Sequence, residues 1–190
     1  MVDRDPVAGR GVRPSRSAAD RRPAPPEDPE TRARELCLRL LTARPRTRAE
    51  LHRSLTRRGI DEEVVERVLS RFDEVGLIDD AAFAETWVRS RHTHQGLGRR
   101  ALTAELRRRG VADEVVAAAV SEVDPEAEEE RARELVRRRL GSVRGRDQVT
   151  AVRRLVGMLA RKGYGEGLAL RVVRDELRRA GEETDLLDEL

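Results

Sequence analysis

From Asp28 onward, apolar residues return at helical spacing, three or four apart, in short bursts separated by Gly, Pro or Asp. Leu36, Cys37, Leu40 and Leu41 form one stripe, Leu51 and Leu55 a second, and Val64, Val65, Val68, Leu69 and Phe72 a third. No stretch shows the strict apolar/polar alternation of a half-buried strand. Each burst has its own start and stop signals. Asp28 precedes Pro29, an N-cap followed by the residue best tolerated at the first helical position. Thr47-Arg48-Ala49-Glu50 has the capping-box spacing, and Gly59 stands where a helix ends in the left-handed conformation. Asp61 then opens the third helix. The pattern predicts an all-α fold.

Sliding the sequence against itself shows that this three-helix pattern recurs. At an offset of 51, without a gap, Asp28 falls on Asp79, Leu51 on Leu102, Leu55 on Leu106, and Arg57-Arg58-Gly59 on Arg108-Arg109-Gly110. Glu63-Val64-Val65 likewise falls on Glu114-Val115-Val116. A third copy follows at an offset of 53, where Leu155, Leu159, Lys162 and Gly163 take the places of Leu102, Leu106, Arg109 and Gly110. It opens on Asp124-Pro125-Glu126, and about eight extra residues are absorbed around "LGSVRGRDQ". The architecture predicted is three tandem three-helix repeats, residues 28–78, 79–123 and 124–190, forming an elongated curved solenoid. The third has the longer internal loop and an acidic C-terminal end. Residues 1–27, rich in Arg, Asp, Pro and Ala without apolar periodicity, are predicted to be a disordered tail.

The same register assigns the few aromatics. Trp87 falls on Leu36, Val88 on Cys37, and Phe83 lies four residues before Trp87, so all three are predicted to point into the core of the middle repeat. Asp79 or Asp80 then caps the helix behind them.

Composition narrows the functional classes. The chain is 39% charged and 38% hydrophobic, with a net charge of only +3, so basicity alone does not imply nucleic-acid binding. Lys162 is the one lysine among 39 basic residues. Cys37, the single cysteine, excludes an internal disulfide and a cysteine-built metal site, and its place in a stripe predicts burial. No apolar run is long enough to span a bilayer and no signal-peptide hydrophobic region opens the chain, so the expected compartment is the cytoplasm.

Catalysis finds little support. There is no phosphate-binding loop, and Gly96-x-Gly98 lacks the preceding strand and third glycine of a dinucleotide site. His92 and His94 are two apart and diverge on a helix, and His52 has no nucleophile partner in sequence. No catalytic residue, cofactor or metal site is expected.

The basic residues are more informative. Arg99, Arg100, Arg107, Arg108 and Arg109 fall in eleven residues with only Glu105 opposing, and Arg57-Arg58 and Arg161-Lys162 recur at the same point of the other copies. Such recurrence would align basic groups along one edge of a solenoid, where they could track phosphates or carboxylates. It would equally answer the dipole at three helix C-termini. The seven arginines from Arg131 to Arg146 follow a run of glutamates, so helical ion pairs absorb part of that charge.

"VGLIDDAAFAETWVRSR", then "GLGRR", then "ALTAELRRRGV" resembles the RecX family, regulatory proteins that bind the recombinase RecA. The resemblance spans roughly residues 30–180 and includes the threefold repeat. It implies a cytoplasmic, non-catalytic monomer that binds RecA filaments on DNA and restrains filament growth, ATP hydrolysis and strand exchange in recombination, DNA repair and the SOS response. The partners it implies are RecA and single- and double-stranded DNA, and it tips these nine basic residues, the three recurrent pairs with Arg99, Arg100 and Arg107, towards binding. The tail and the lengthened third copy depart from the family pattern. The alternative is a helix-turn-helix-like transcription regulator. Its third helices, "DEEVVERVLSRF" and "ADEVVAAAVSEV", are poor in the side chains that read base edges, which speaks against it.

Overall fold

The computed structural model describes residues 28–181 except 144 and 146; the expected disordered tail lies outside the described residues. Among the described residues there are nine α-helices and no strand. The first unit holds α1 (Pro29–Ala43), α2 (Arg48–Thr56) and α3 (Glu62–Glu74). The second holds α4 (Asp80–Ser90), α5 (Arg99–Arg109) and α6 (Asp113–Ser121). The third holds α7 (Pro125–Leu140), α8 (Gln148–Arg161) and α9 (Glu166–Arg179).

The first helix of every unit starts on an aspartate whose carboxylate accepts an orphan backbone N–H. Asp28 takes that of Thr31, Asp79 that of Ala82, and Asp124 that of Ala127. Asp80 does something else. Its carboxylate accepts the N–H of Arg48 at 2.9 Å, so it seals the start of α2 in the preceding unit, and its burial there holds the carboxyl above its ordinary pKa. Thr47 caps α2 as the sequence predicts, through Glu50 N–H, but Glu50 does not complete the box. Glu50 turns instead to Arg44 and Arg109.

Each unit buries its own small core. Leu51, Leu55, Leu69 and Phe72 centre the first, Leu102, Leu106 and Val116 the second, and Val136, Leu155, Leu159 and Val172 the third. The extensive helix–helix contacts all lie within a unit, the arrangement expected of a repeat array in which neighbours meet only at their edges. Cys37 is buried in the first core, where desolvation raises its thiol pKa to about 11.

Two features differ from the sequence expectation. Part of the insertion in the third copy is helix rather than loop: α5 projects by the offset of 53 onto residues 152–162, yet α8 begins at Gln148. The other difference is Trp87, which is only half-buried. Phe83 and Val88 occupy the core, and the indole sits at its margin, stacked on Phe83 at 5.6 Å between ring centres. Guanidinium carbons of Arg91 and Arg109 lie over the ring at 4.1 and 3.7 Å, and Nε1 donates to Glu105 at 2.8 Å. An indole has a face for cations and one polar edge, so a margin suits it better than a dry interior.

The expected cost of Trp87→Ala is therefore about 2 kcal/mol, below the ~3–5 kcal/mol of a fully buried aromatic. It should be non-additive with Arg109→Ala by about 1 kcal/mol. Urea denaturation of the two single variants and the double variant, followed by circular dichroism, measures both quantities. Additive costs would show that the stacking contributes nothing.

Candidate functional site

The second helices of the three units meet end to end. At the α5–α2 joint, the Arg109 carbonyl accepts from Thr47 Oγ1 at 2.8 Å and from Arg53 Nη2 at 3.1 Å. At the α8–α5 joint, the Lys162 carbonyl accepts the Gly98 N–H at 2.8 Å and the Gly163 carbonyl accepts the Arg100 N–H at 3.2 Å. Carbonyls orphaned at one helix C-terminus thus meet donors at the N-terminus of the next, with opposite dipole ends in contact. Both joints close on a glycine. Gly110 has φ +86° and an added Cβ would lie 2.4 Å from Ala49 Cβ, while Gly163 has φ +87° and its Cβ would lie 2.3 Å from Ala101 N.

The third unit also caps the helix before α5. After Ser90, α4 widens into a π-helical turn over Arg91–Gln95, whose last carbonyls point towards unit three. Thr93 O accepts from Arg131 Nη2, Gln95 O from Lys162 Nζ at 2.7 Å, and Gly96 O from the Tyr164 hydroxyl at 3.1 Å. Burial raises the Tyr164 pKa above its ordinary value, so the phenol stays a donor.

This geometry sorts the nine basic residues singled out by the sequence. Arg99, Arg109 and Lys162 are built into the joints. Arg99 donates to the Val123 carbonyl and its backbone N–H reaches Glu128 Oε1, Arg109 pairs with Glu50, and Lys162 holds Gln95 O. Arg57 and Arg58 fold back on their own helix, donating to Arg53 O and Ser54 O at 3.1 and 2.8 Å. Among the described residues, no other unit takes those carbonyls. Arg107 pairs with Asp113 across the surface. Arg100, Arg108 and Arg161 are exposed and have no side-chain hydrogen bond or ion pair with a described residue.

Two concave surfaces escaped the sequence reading. One, of about 860 Å3, runs between α4 and α6, with Val88 and Val115 in its floor and Glu85, Glu114, Glu122 and Asp124 on its rim. The other, of about 460 Å3, lies between the end of α7 and α8 and includes Arg139, Arg153, Arg154 and Arg161. His52 also gains partners that sequence did not reveal, Glu62 at 2.6 Å and Glu66 at 3.5 Å. Arg48 already donates to Glu66 at 2.8 Å and thereby lowers its pKa, so the trio is part of an ion network tying α2 to α3.

The three units match, in order, the first, second and third three-helix domains of RecX over residues 33–72, 79–120 and 126–173. The chain belongs to the RecX family. It is 57% identical over 165 residues to the regulatory protein RecX of Amycolatopsis mediterranei, covering 87% of this chain and 94% of that one. It is 55% identical over 183 residues to that of Streptomyces coelicolor, covering 96% and 97% respectively. The crystal structure of RecX from Lactobacillus salivarius has the same fold at 18% identity, with a TM-score of 0.74 over 78% of this chain and 97% of that one. A second RecX crystal structure superposes with a TM-score of 0.71 at 24% identity, covering 78% of this chain and 73% of that one. The chain is thus a RecX-type regulatory protein built of three-helix repeats. No described helix is long and apolar enough to cross a membrane.

Proposed function

We propose that this RecX-family chain is a non-catalytic cytoplasmic regulator that binds RecA and its filaments on single-stranded DNA. Binding restrains filament extension, ATP hydrolysis and strand exchange, and so acts in recombination, DNA repair and the SOS response. The observation that carries this reading, beyond membership of the family, is the set of unengaged cations spaced along the array. Arg100 lies in the first turn of α5, Arg108 in its last turn, and Arg161 ends α8. Arg100 and Arg108, eight residues apart on α5, are separated by about 12 Å of helix rise, far enough to meet successive anionic groups of an extended partner.

RecA-dependent ATP hydrolysis on single-stranded DNA is expected to fall as this protein is added. An unchanged rate at every ratio would overturn the reading. Replacing Arg100, Arg108 and Arg161 together by Ala is expected to weaken filament binding about tenfold or more and to flatten its salt dependence, with little change in melting temperature. Replacing Arg99, Arg109 or Lys162 should act the other way, through stability, because those side chains hold the joints.

A further inference from the structure

Arg139, at the end of α7, and Arg153, Arg154 and Arg161, on α8, surround a groove floored by Val143, Leu155 and Met158. All four arginines are exposed. None makes a side-chain hydrogen bond or ion pair with a described residue. Elsewhere in the third unit arginines are neutralised: Arg131, Arg133, Arg137 and Arg171 each pair with a carboxylate. A cluster of uncompensated cations around an apolar floor asks for an occupant that is both acidic and apolar.

Such a segment follows α9. Glu129 pairs with Arg171 and Arg133 with Asp175, both at a separation of 42 residues, so α7 and α9 run parallel. In that register Gly181 comes level with Arg139. Gly181 has φ +77° and ends the helix, and the next nine residues read "EETDLLDEL". Glu182, Glu183, Asp185, Asp188 and Glu189 flank Leu186 and Leu187. Nine residues reach about 30 Å when extended, whereas Arg153 to Arg161 spans about 12 Å of α8.

We propose that residues 182–190 dock in this groove of their own chain, Leu186 and Leu187 on the Val143–Leu155–Met158 floor and the carboxylates against the four arginines. A phosphate backbone would satisfy the arginines but leave the apolar floor uncovered. The short tether gives the segment a millimolar effective concentration, so individually weak contacts suffice. The segment thereby withholds Arg161 and its neighbours from other anions until one displaces it. The inference is independent of what those anions are in the cell.

Met158 provides the test, because it lines the groove and the chain's other methionine is Met1. Methyl-labelled methionine NMR of the full chain is compared with two full-length variants. One carries Leu186→Ser and Leu187→Ser; the other carries Glu182→Gln, Glu183→Gln, Asp185→Asn, Asp188→Asn and Glu189→Gln. The Met158 methyl resonance should move in both variants, towards its position in the native chain at about 1 M salt, where charge pairs are screened. A short single-stranded oligonucleotide should bind the amide variant about fivefold tighter than the native chain at low salt. That gain should vanish when Arg153→Ala and Arg154→Ala are added. A Met158 resonance identical in all three proteins overturns the proposal. So does one that ignores the segment's substitutions but shifts with the oligonucleotide, which would make the groove a nucleic-acid surface. RecA takes no part in the experiment, so its outcome is separate from that of the regulator reading.

Discussion

Gly163→Ala is expected to destabilise the protein by about 3 kcal/mol or more, the largest effect of any methyl added to the chain. Two costs combine. An alanine at φ +87° pays the left-handed penalty of about 1–2 kcal/mol, and its Cβ would sit 2.3 Å from Ala101 N and 2.4 Å from Ala101 Cβ. The obstacle is partly backbone, at a point where the Gly163 carbonyl already holds the Arg100 N–H. The α8–α5 joint would have to open. Gly110→Ala is expected to cost about 2–3 kcal/mol, because only the Ala49 side chain stands in the way. Gly59→Ala should cost about 1 kcal/mol, since nothing lies within 4 Å of its added methyl. Ala49→Gly should then rescue part of the Gly110→Ala loss, whereas Ala101→Gly should not rescue Gly163→Ala. Urea denaturation gives the ranking. Equal costs at the three glycines would mean that the joints are looser than their geometry.

The second large effect belongs to Glu176 on α9. Its side chain is 3% exposed and takes guanidinium groups from Arg133 at 3.3 Å, Arg137 at 2.9 Å and Arg179 at 2.7 Å. Burial works to raise its pKa, but the hydrogen bonds from Arg137 and Arg133 outweigh it and the net shift is downward. Removing the carboxylate leaves partly buried cations without their common partner. Glu176→Ala should therefore cost about 3 kcal/mol, the low end for breaking a buried pair because two of the arginines reach solvent. The sign of the pH dependence follows from the lowered pKa. The ionised form is favoured by folding, so its contribution is complete above the ordinary glutamate pKa of about 4.3 and is lost as pH falls through the lower folded value. Glu176→Gln should flatten that acid limb. If the acid unfolding curves of the native chain and Glu176→Gln were parallel, the carboxylate would carry no linkage.

Much of this fold is local chemistry and so was legible in the sequence. Asp-Pro starts, the Leu51–Leu55 and Val65–Phe72 stripes and the glycine after α2 act within one or two turns of chain, and the structure uses them as predicted. The joints were not legible. Glu50 has the spacing of a capping box, yet its carboxylate answers Arg109, 59 residues away. Arg109 and Lys162 read as edge cations because register reveals that a position recurs, not which way its side chain turns. A sharper signal was present: Ala49 and Ala101 both stand in the first turn of a second helix, where a small residue leaves room for the next unit's glycine. Two of the groove arginines, Arg153 and Arg154, were missed for a different reason. Arg153 and Arg154 lie on the stretch of α8 just past the insertion, where the repeat register had been interrupted.

The composition of the joints has an optical consequence. The chain has one tryptophan and one tyrosine. Trp87 lies under the Arg109 side chain that crosses to Glu50, and the Tyr164 hydroxyl crosses from unit three to Gly96. Each inter-repeat joint therefore carries its own natural chromophore, and the two differ in wavelength. Indole emission reports on the first joint and the phenol's near-ultraviolet band on the second. Bending or loosening of the array on a partner can be assigned to one joint or the other without attaching any dye.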